Sequence, residues 1–157
     1  MANPEHLEIL RKGPNVWKAW RAQTEVVVNL HRARIRGEYL RLTDLSRADL
    51  VGSDLSGANL SGAILVDAEL TEATLDRADL RRATLRDCKL SSSDLTEADL
   101  RKTVLDRAIF ELANLKKANL GGASDAKTYR LSLVESRVFS LRLHHPVILG
   151  APGLRPR

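Results

Sequence analysis

From Ile35 to Leu120 every fifth residue is large and apolar, running Ile35, Leu40, Leu45, Leu50, Leu55 and on through Leu105, Phe110, Leu115 and Leu120, with no exception in eighteen positions. Two residues before each sits a small one, among them Ala33, Thr43, Ala48, Ser53, Ala58, Ala78, Cys88, Ser93, Thr103 and Ala118; only Glu38 breaks this second rule. An α-helix completes a turn in about 3.6 residues and would spread a period of five around its whole surface, so it is excluded as the repeating unit. In extended chain, residues two apart share a face, which puts the small residue and the following large one on the same side. The odd period then demands a corner in every unit. A chain with two inward residues per unit, a corner per unit and stacked coils is a β-solenoid.

Both flanks depart from the period. Asn3-Pro4-Glu5 reads as an N-cap, a first-turn proline and a first-turn acid, and Gly13 as the stop of a short helix. A second short helix is predicted after Pro14, where Trp17 and Trp20, three apart with Val16 beside them, share one face. Open solenoid ends expose apolar side chains and unpaired backbone groups. Residues 1–32 are therefore read as a helical N-terminal cap with the two tryptophans as its lid, and residues 33–123 as the solenoid. After Gly121-Gly122, a spacing of five persists in a shifted phase at Leu133, Val138, Leu143 and Ile148. Residues 124–157 are read as a C-terminal cap or extension, with a distorted extra coil, a folded-back cap and a dimerisation edge all open, and Gly150 to Arg157 as a frayed end.

Composition supports narrow stacked layers over one large globular core, since aromatic residues make up only 4% of a chain that is 43% hydrophobic. The net charge of +5 is unevenly laid out. Residues 1–37 carry seven Lys/Arg against three acids, residues 38–123 twelve against fifteen, and residues 124–157 six against two. The repeat is mildly acidic and the basic excess lies in the flanks. The single cysteine, Cys88, excludes an internal disulfide and stands at an inward small-residue position, so a buried, inert thiol is expected. With no secretory signal pattern at the start and no run of about 20 apolar residues, a cytoplasmic setting without membrane association is expected. No phosphate-binding loop, dinucleotide fingerprint, paired-His zinc motif or nucleophile elbow occurs, so neither enzyme activity, cofactor nor metal is predicted. His144-His145 lies before Pro146 without nearby Cys or acidic ligands.

Runs such as Ala48-Asp49-Leu50, Ala58-Asn59-Leu60, Ala78-Asp79-Leu80 and Ala98-Asp99-Leu100 resemble the pentapeptide-repeat proteins over about 90 of the 157 residues. The stretch from Leu7 to Arg21 is also similar to a leader found before many bacterial pentapeptide-repeat regions, which implies a bacterial source. The fold this resemblance implies is a right-handed quadrilateral parallel β-helix, four pentapeptides to a coil of twenty residues. Four and a half such coils at a spacing of about 4.8 Å make a rod roughly 22 Å long. The Asp or Asn before each Leu, as in Asp44, Asp49, Asp54 and Asn59, is expected to bond backbone amides where the chain turns, and is for that reason poor evidence for catalysis.

Sorted on the twenty-residue coil implied by the family, the outward charges separate by face. Around Leu40, Leu60, Leu80, Leu100 and Leu120 stand Arg41, Arg81, Arg82, Arg101 and Lys102 against Asp79 and Asp99, a candidate basic binding face. The opposite face, around Leu50, Leu70, Leu90 and Phe110, carries Asp49, Glu69, Glu72 and Glu111 against Lys89, a candidate acidic face. The expected function is a non-enzymatic scaffold that presents a rigid charged surface to a protein partner. Two alternatives stand beside it. The resemblance implies DNA-mimic binding to type II topoisomerases with inhibitor protection, from which this chain departs in its positive total. The basic face implies anion or nucleic-acid binding, which the scarcity of exposed aromatics in the repeat disfavours. A homodimer through an end cap is also open.

Overall fold

The computed structural model describes residues 1–124. Two eight-residue helices, α1 (Pro4–Arg11) and α2 (Pro14–Arg21), precede a stack of short parallel bridges, each joining a residue to the one twenty further on, from Asn29↔Asp49 to Val104↔Ser124. Four pentapeptides therefore make one coil, and the inward Leu and Ala positions form a continuous core whose members are almost all fully buried. The register opens before residue 33: Val28 and Leu30 are already buried, and Asn29 bridges Asp49.

Every unit turns in the same way. The carbonyl of the inward apolar residue accepts from the small residue three on, as in Ala33 N to Leu30 O at 2.9 Å and Ala78 N to Leu75 O at 3.0 Å. The third residue of that turn has positive φ at every fifth position from Arg32 to Gly122, between 54° and 71°, as a type II turn requires. Only Gly37, Gly52, Gly57, Gly62 and Gly122 are glycines there; the others include Arg, Glu, Lys and Leu. The left-handed conformation costs such residues about 1–2 kcal/mol each. A rung bond made by the same residue offsets it, as when Arg32 N donates to Val51 O at 2.8 Å and Arg77 N to Thr96 O at 2.8 Å. The Asp and Asn before each Leu hold the corner from outside: Asp44, Asp54, Asp79 and Asn119 each accept from the backbone N–H two residues on, at 2.9 to 3.1 Å. At inward positions taken by Thr or Ser, the hydroxyl donates back to the preceding Leu carbonyl, as from Thr43 to Leu40 at 2.6 Å and Ser53 to Leu50 at 2.7 Å.

The N-terminal helices close the first coil by supplying donors and acceptors that no earlier coil provides. Asn3 caps α1 by accepting from Glu5 N at 2.9 Å, while its own N–H donates to Asn29 O at 3.0 Å. Asn29 N donates to Nδ1 of buried His6 at 3.0 Å, Arg11 donates to Arg34 O at 3.0 Å, and Trp17 Nε1 donates to Asp44 O at 2.8 Å. Trp17 is fully buried and lies against Trp20 with ring centroids 5.0 Å apart. Val16 does not join them: it is 43% exposed, because one residue on a helix rotates a side chain by about 100°. Glu38, the one breach of the small-residue rule, turns outward in this first coil and pairs with Arg11 at 3.4 Å. The C-terminal cap, the shifted spacing and the dimer edge expected beyond residue 124 lie outside the described residues.

Candidate binding groove

Twenty-residue coils stack outward side chains into columns, so each charge meets the residue twenty away. Three corners pair opposite signs this way. Arg77, Glu97 and Lys117 form a ladder at 3.1 and 3.0 Å; Asp87 accepts from Arg107 at 2.5 Å and Arg86 meets Asp106 at 3.5 Å; Lys89 meets Glu69 at 2.8 Å. The corner after Leu40, Leu60, Leu80 and Leu100 does not: Arg81 stacks under Arg101 and Arg82 under Lys102. Asp79 and Asp99 relieve only half of it. Each grips the arginine two residues on in a fork, with Arg81 Nε and Nη2 at 2.8 and 2.7 Å from Asp79 and Arg101 Nη2 at 2.6 Å from Asp99. Arg41, Arg82 and Lys102 have no hydrogen-bond or ion-pair partner for their side chains among the described residues.

These residues border a groove of about 640 Å³ lined by Arg41, Leu42, Ser61, Gly62, Arg81, Arg82, Arg101 and Lys102. All five residues of the expected basic face thus lie along one groove. Its floor is set by Gly62, where an added Cβ would come 2.8 Å from Leu42 Cδ2. Towards α2 a second depression adjoins, lined by Pro14, Asn15, Lys18, Arg21 and Ala22 with Tyr39, Arg41, Leu42, Asp44 and Ile64. Arg41 and Leu42 belong to both, and Tyr39, Leu42 and Ile64 are 57%, 60% and 42% exposed. Sequence reasoning missed this apolar shelf. Its signal was there: Tyr39, Leu42 and Ile64 are apolar at outward positions that most other units fill with polar residues or glycine, Val104, Ile109 and Leu112 being further exceptions.

The expected acidic residues share the opposite corner, but its charge is broken up. Asp49 faces His31 Nδ1 at 3.3 Å, and Glu69 is taken by Lys89 and the Thr71 hydroxyl. Glu72 and Glu111 are exposed and lack side-chain partners among the described residues, while Arg32 and Leu112 occupy the column of Glu72. Cys88 is buried, its thiol donating to Ala68 O at 3.3 Å; burial first, then the Glu69 charge, push it above the ordinary thiol range. Among the described residues no group of three His, Cys, Asp or Glu could hold a metal ion, and no helix is long and apolar enough to cross a membrane.

Hydrogen bonds from Arg81 hold Asp79 below the ordinary aspartate range. For Asp99 burial pulls upward, and the Arg101 hydrogen bonds and charge together outweigh it. With folded values below the ordinary 3.8, this stabilisation is fully present above that pH and is lost as pH falls through the lower folded values. Asp87 and Glu97, bonded to Arg107 and to Lys117 and Arg77, act in the same direction. The urea midpoint is expected to be flat from pH 7 to about 5 and to fall below about pH 4. A midpoint unchanged down to about pH 2.5 would show that these pairs contribute nothing.

A five-residue unit, a twenty-residue coil and parallel rungs on four sides define the class: a pentapeptide solenoid. The sequence matches the pentapeptide repeats, in eight copies, over residues 28–62, 53–91, 63–101 and 93–124, and the chain belongs to that family. Its fold is the right-handed quadrilateral β-helix. Among solved structures it is similar to a pentapeptide repeat protein from the Arabidopsis thaliana thylakoid lumen, with 30% identity, TM-score 0.51, and 57% of this chain and 66% of that one covered. It is also similar to HetL of Nostoc sp. strain PCC 7120, at 30% identity and TM-score 0.38 over 78% of this chain and 51% of that one, and to alr5209 of Nostoc, at 29% and 0.47 over 80% and 90%. The chain thus spans less than two thirds of the first two. No curated protein matches it.

Proposed function

We propose that the chain is a non-enzymatic binding module that holds a charged surface rigid for a protein partner. The observation that carries this is the charge arrangement. On three corners bonds between coils join opposite charges, while the columns of the fourth hold no acid and gather Arg41, Arg82 and Lys102 without partners beside an exposed apolar shelf. A repeat rod keeps such an array in fixed register without ordering cost on binding. DNA mimicry toward a topoisomerase needs a continuous anionic face, and the acidic corner is interrupted by His31, Arg32 and Lys89. Nucleic-acid binding is favoured by the free cations but lacks stacking rings.

The full chain, immobilised and exposed to an extract of its source cells with nuclease added, is expected to retain a protein at comparable molar amount. Retention of nothing, or retention that nuclease abolishes, would overturn the reading. A topoisomerase subunit as the retained protein would move the site to Glu72 and Glu111.

A further inference from the structure

We infer that the groove and its adjoining shelf take an acidic peptide segment with an apolar anchor, contributed by a protein partner. The inference rests on the protein-binding reading above and names the chemistry of its site. Its cations follow the rod axis. Arg82 and Lys102 stand one coil apart, about 4.8 Å, and Arg41 lies two coils below Arg81, so the cationic strip is about 14 Å long. Extended chain advances about 3.3 Å per residue, so four or five residues cover it. Carboxylates along such a segment would meet Arg82 and Lys102 directly and compete with Asp79 and Asp99 for the outer faces of Arg81 and Arg101.

The shelf decides between classes of polyanion. Leu42 and Ile64 offer a phosphodiester nothing, and Tyr39 alone is not a row of stacking rings, but all three bury area against an aliphatic side chain. Because Leu42 lines both depressions, an anchor on the shelf leads into the cationic strip. The chain's own residues 125–157 are not the complement, since they carry six Lys/Arg against two acids. A second copy is a poorer fit, because the acidic corner it would offer is interrupted and a corner-to-corner contact does not close.

The test is fluorescence anisotropy of full-length protein with a labelled peptide of three leucines followed by five glutamates, at about 0.15 M salt. Pentaglutamate and a thymidine oligomer of equal charge serve as comparisons. The leucine-led peptide is expected to bind more tightly than either. Arg82→Glu with Lys102→Glu is expected to weaken it at least about tenfold, and Leu42→Ser about threefold to fivefold. Arg36→Glu with Lys116→Glu, on another corner, should leave binding unchanged. All these positions are exposed, and circular dichroism checks that each variant keeps its fold. Equal binding of the thymidine oligomer, equal binding of pentaglutamate, or indifference to the Arg82 and Lys102 reversals would each overturn the inference. So would self-association of the protein that the reversals abolish. If the peptide fails while the immobilised chain still retains a nuclease-resistant protein, the inference falls and the protein-binding reading stands.

Discussion

Trp17→Ala is expected to destabilise the rod by about 3–5 kcal/mol, the range for removing a large aromatic side chain from a packed interior. Trp17 is fully buried at the entrance to the first coil, and its indole N–H donates to the Asp44 carbonyl at 2.8 Å. That carbonyl points away from the solenoid, where no earlier coil offers a donor. Truncation would open a cavity against the core, leave Trp20 with His6 as its remaining ring contact, and strip the Asp44 carbonyl of its donor. In a repeat protein each coil is held mainly by its neighbours, so losing the cap weakens the first coil and then those stacked on it. Trp17→Phe keeps most of the volume but removes the donor and part of the ring, so a smaller cost of about 1–2 kcal/mol is expected. Urea unfolding read by far-ultraviolet circular dichroism separates these outcomes. A midpoint for Trp17→Ala equal to the parent's would mean that the helices are an appendage and the solenoid closes itself.

The second large effect is expected inside the rod. Leu80→Ala should cost about 2–5 kcal/mol, because Leu80 is fully buried and stacks between Leu60 and Leu100 in a column that rung bonds hold in place above and below. Asp79 donates to Ala58 O and accepts from Leu60 N in the preceding coil, while Leu80 N donates to Asp99 O in the following one, so the backbone cannot move in to fill the void. Leu42→Ala is the matched control, the same change at a side chain 60% exposed at positive φ, and should lie within about 0.5 kcal/mol of the parent. Denaturant titration of the pair reads the difference. Similar midpoints for both variants would mean that the inward column is loosely packed.

Leu42 also shows where sequence reasoning stopped. The five-residue rule marked Leu40 and Leu45 as inward and left Leu42 as one of the unremarked outward residues, which it is. Its importance depends on Gly62 above it and on Tyr39 and Ile64 beside it, and these are neighbours only once coils stack. The positive φ at every corner was equally hidden. Glycine occupies only some of those positions, and Arg, Glu or Lys at the others gives no sign of a left-handed backbone. The Asp and Asn corner bonds and the burial of Cys88 were legible, because they depend on position within one unit and not on what lies a coil away.

The basic residues sit between these cases. Grouping Arg41, Arg81, Arg82, Arg101 and Lys102 required only the twenty-residue coil of the family, and the structure places all of them along one groove. Which of them are engaged required distances: Arg81 and Arg101 are clasped by Asp79 and Asp99, while Arg41, Arg82 and Lys102 are not. Period, inward set and hence a solenoid are legible in the residues alone, since an apolar side chain every five residues can be buried only by a chain that turns in every unit. Which charges cancel between coils was settled in tertiary structure, because partners twenty residues apart meet only across stacked coils, and Coulomb attraction acts on distance in space, not along the chain.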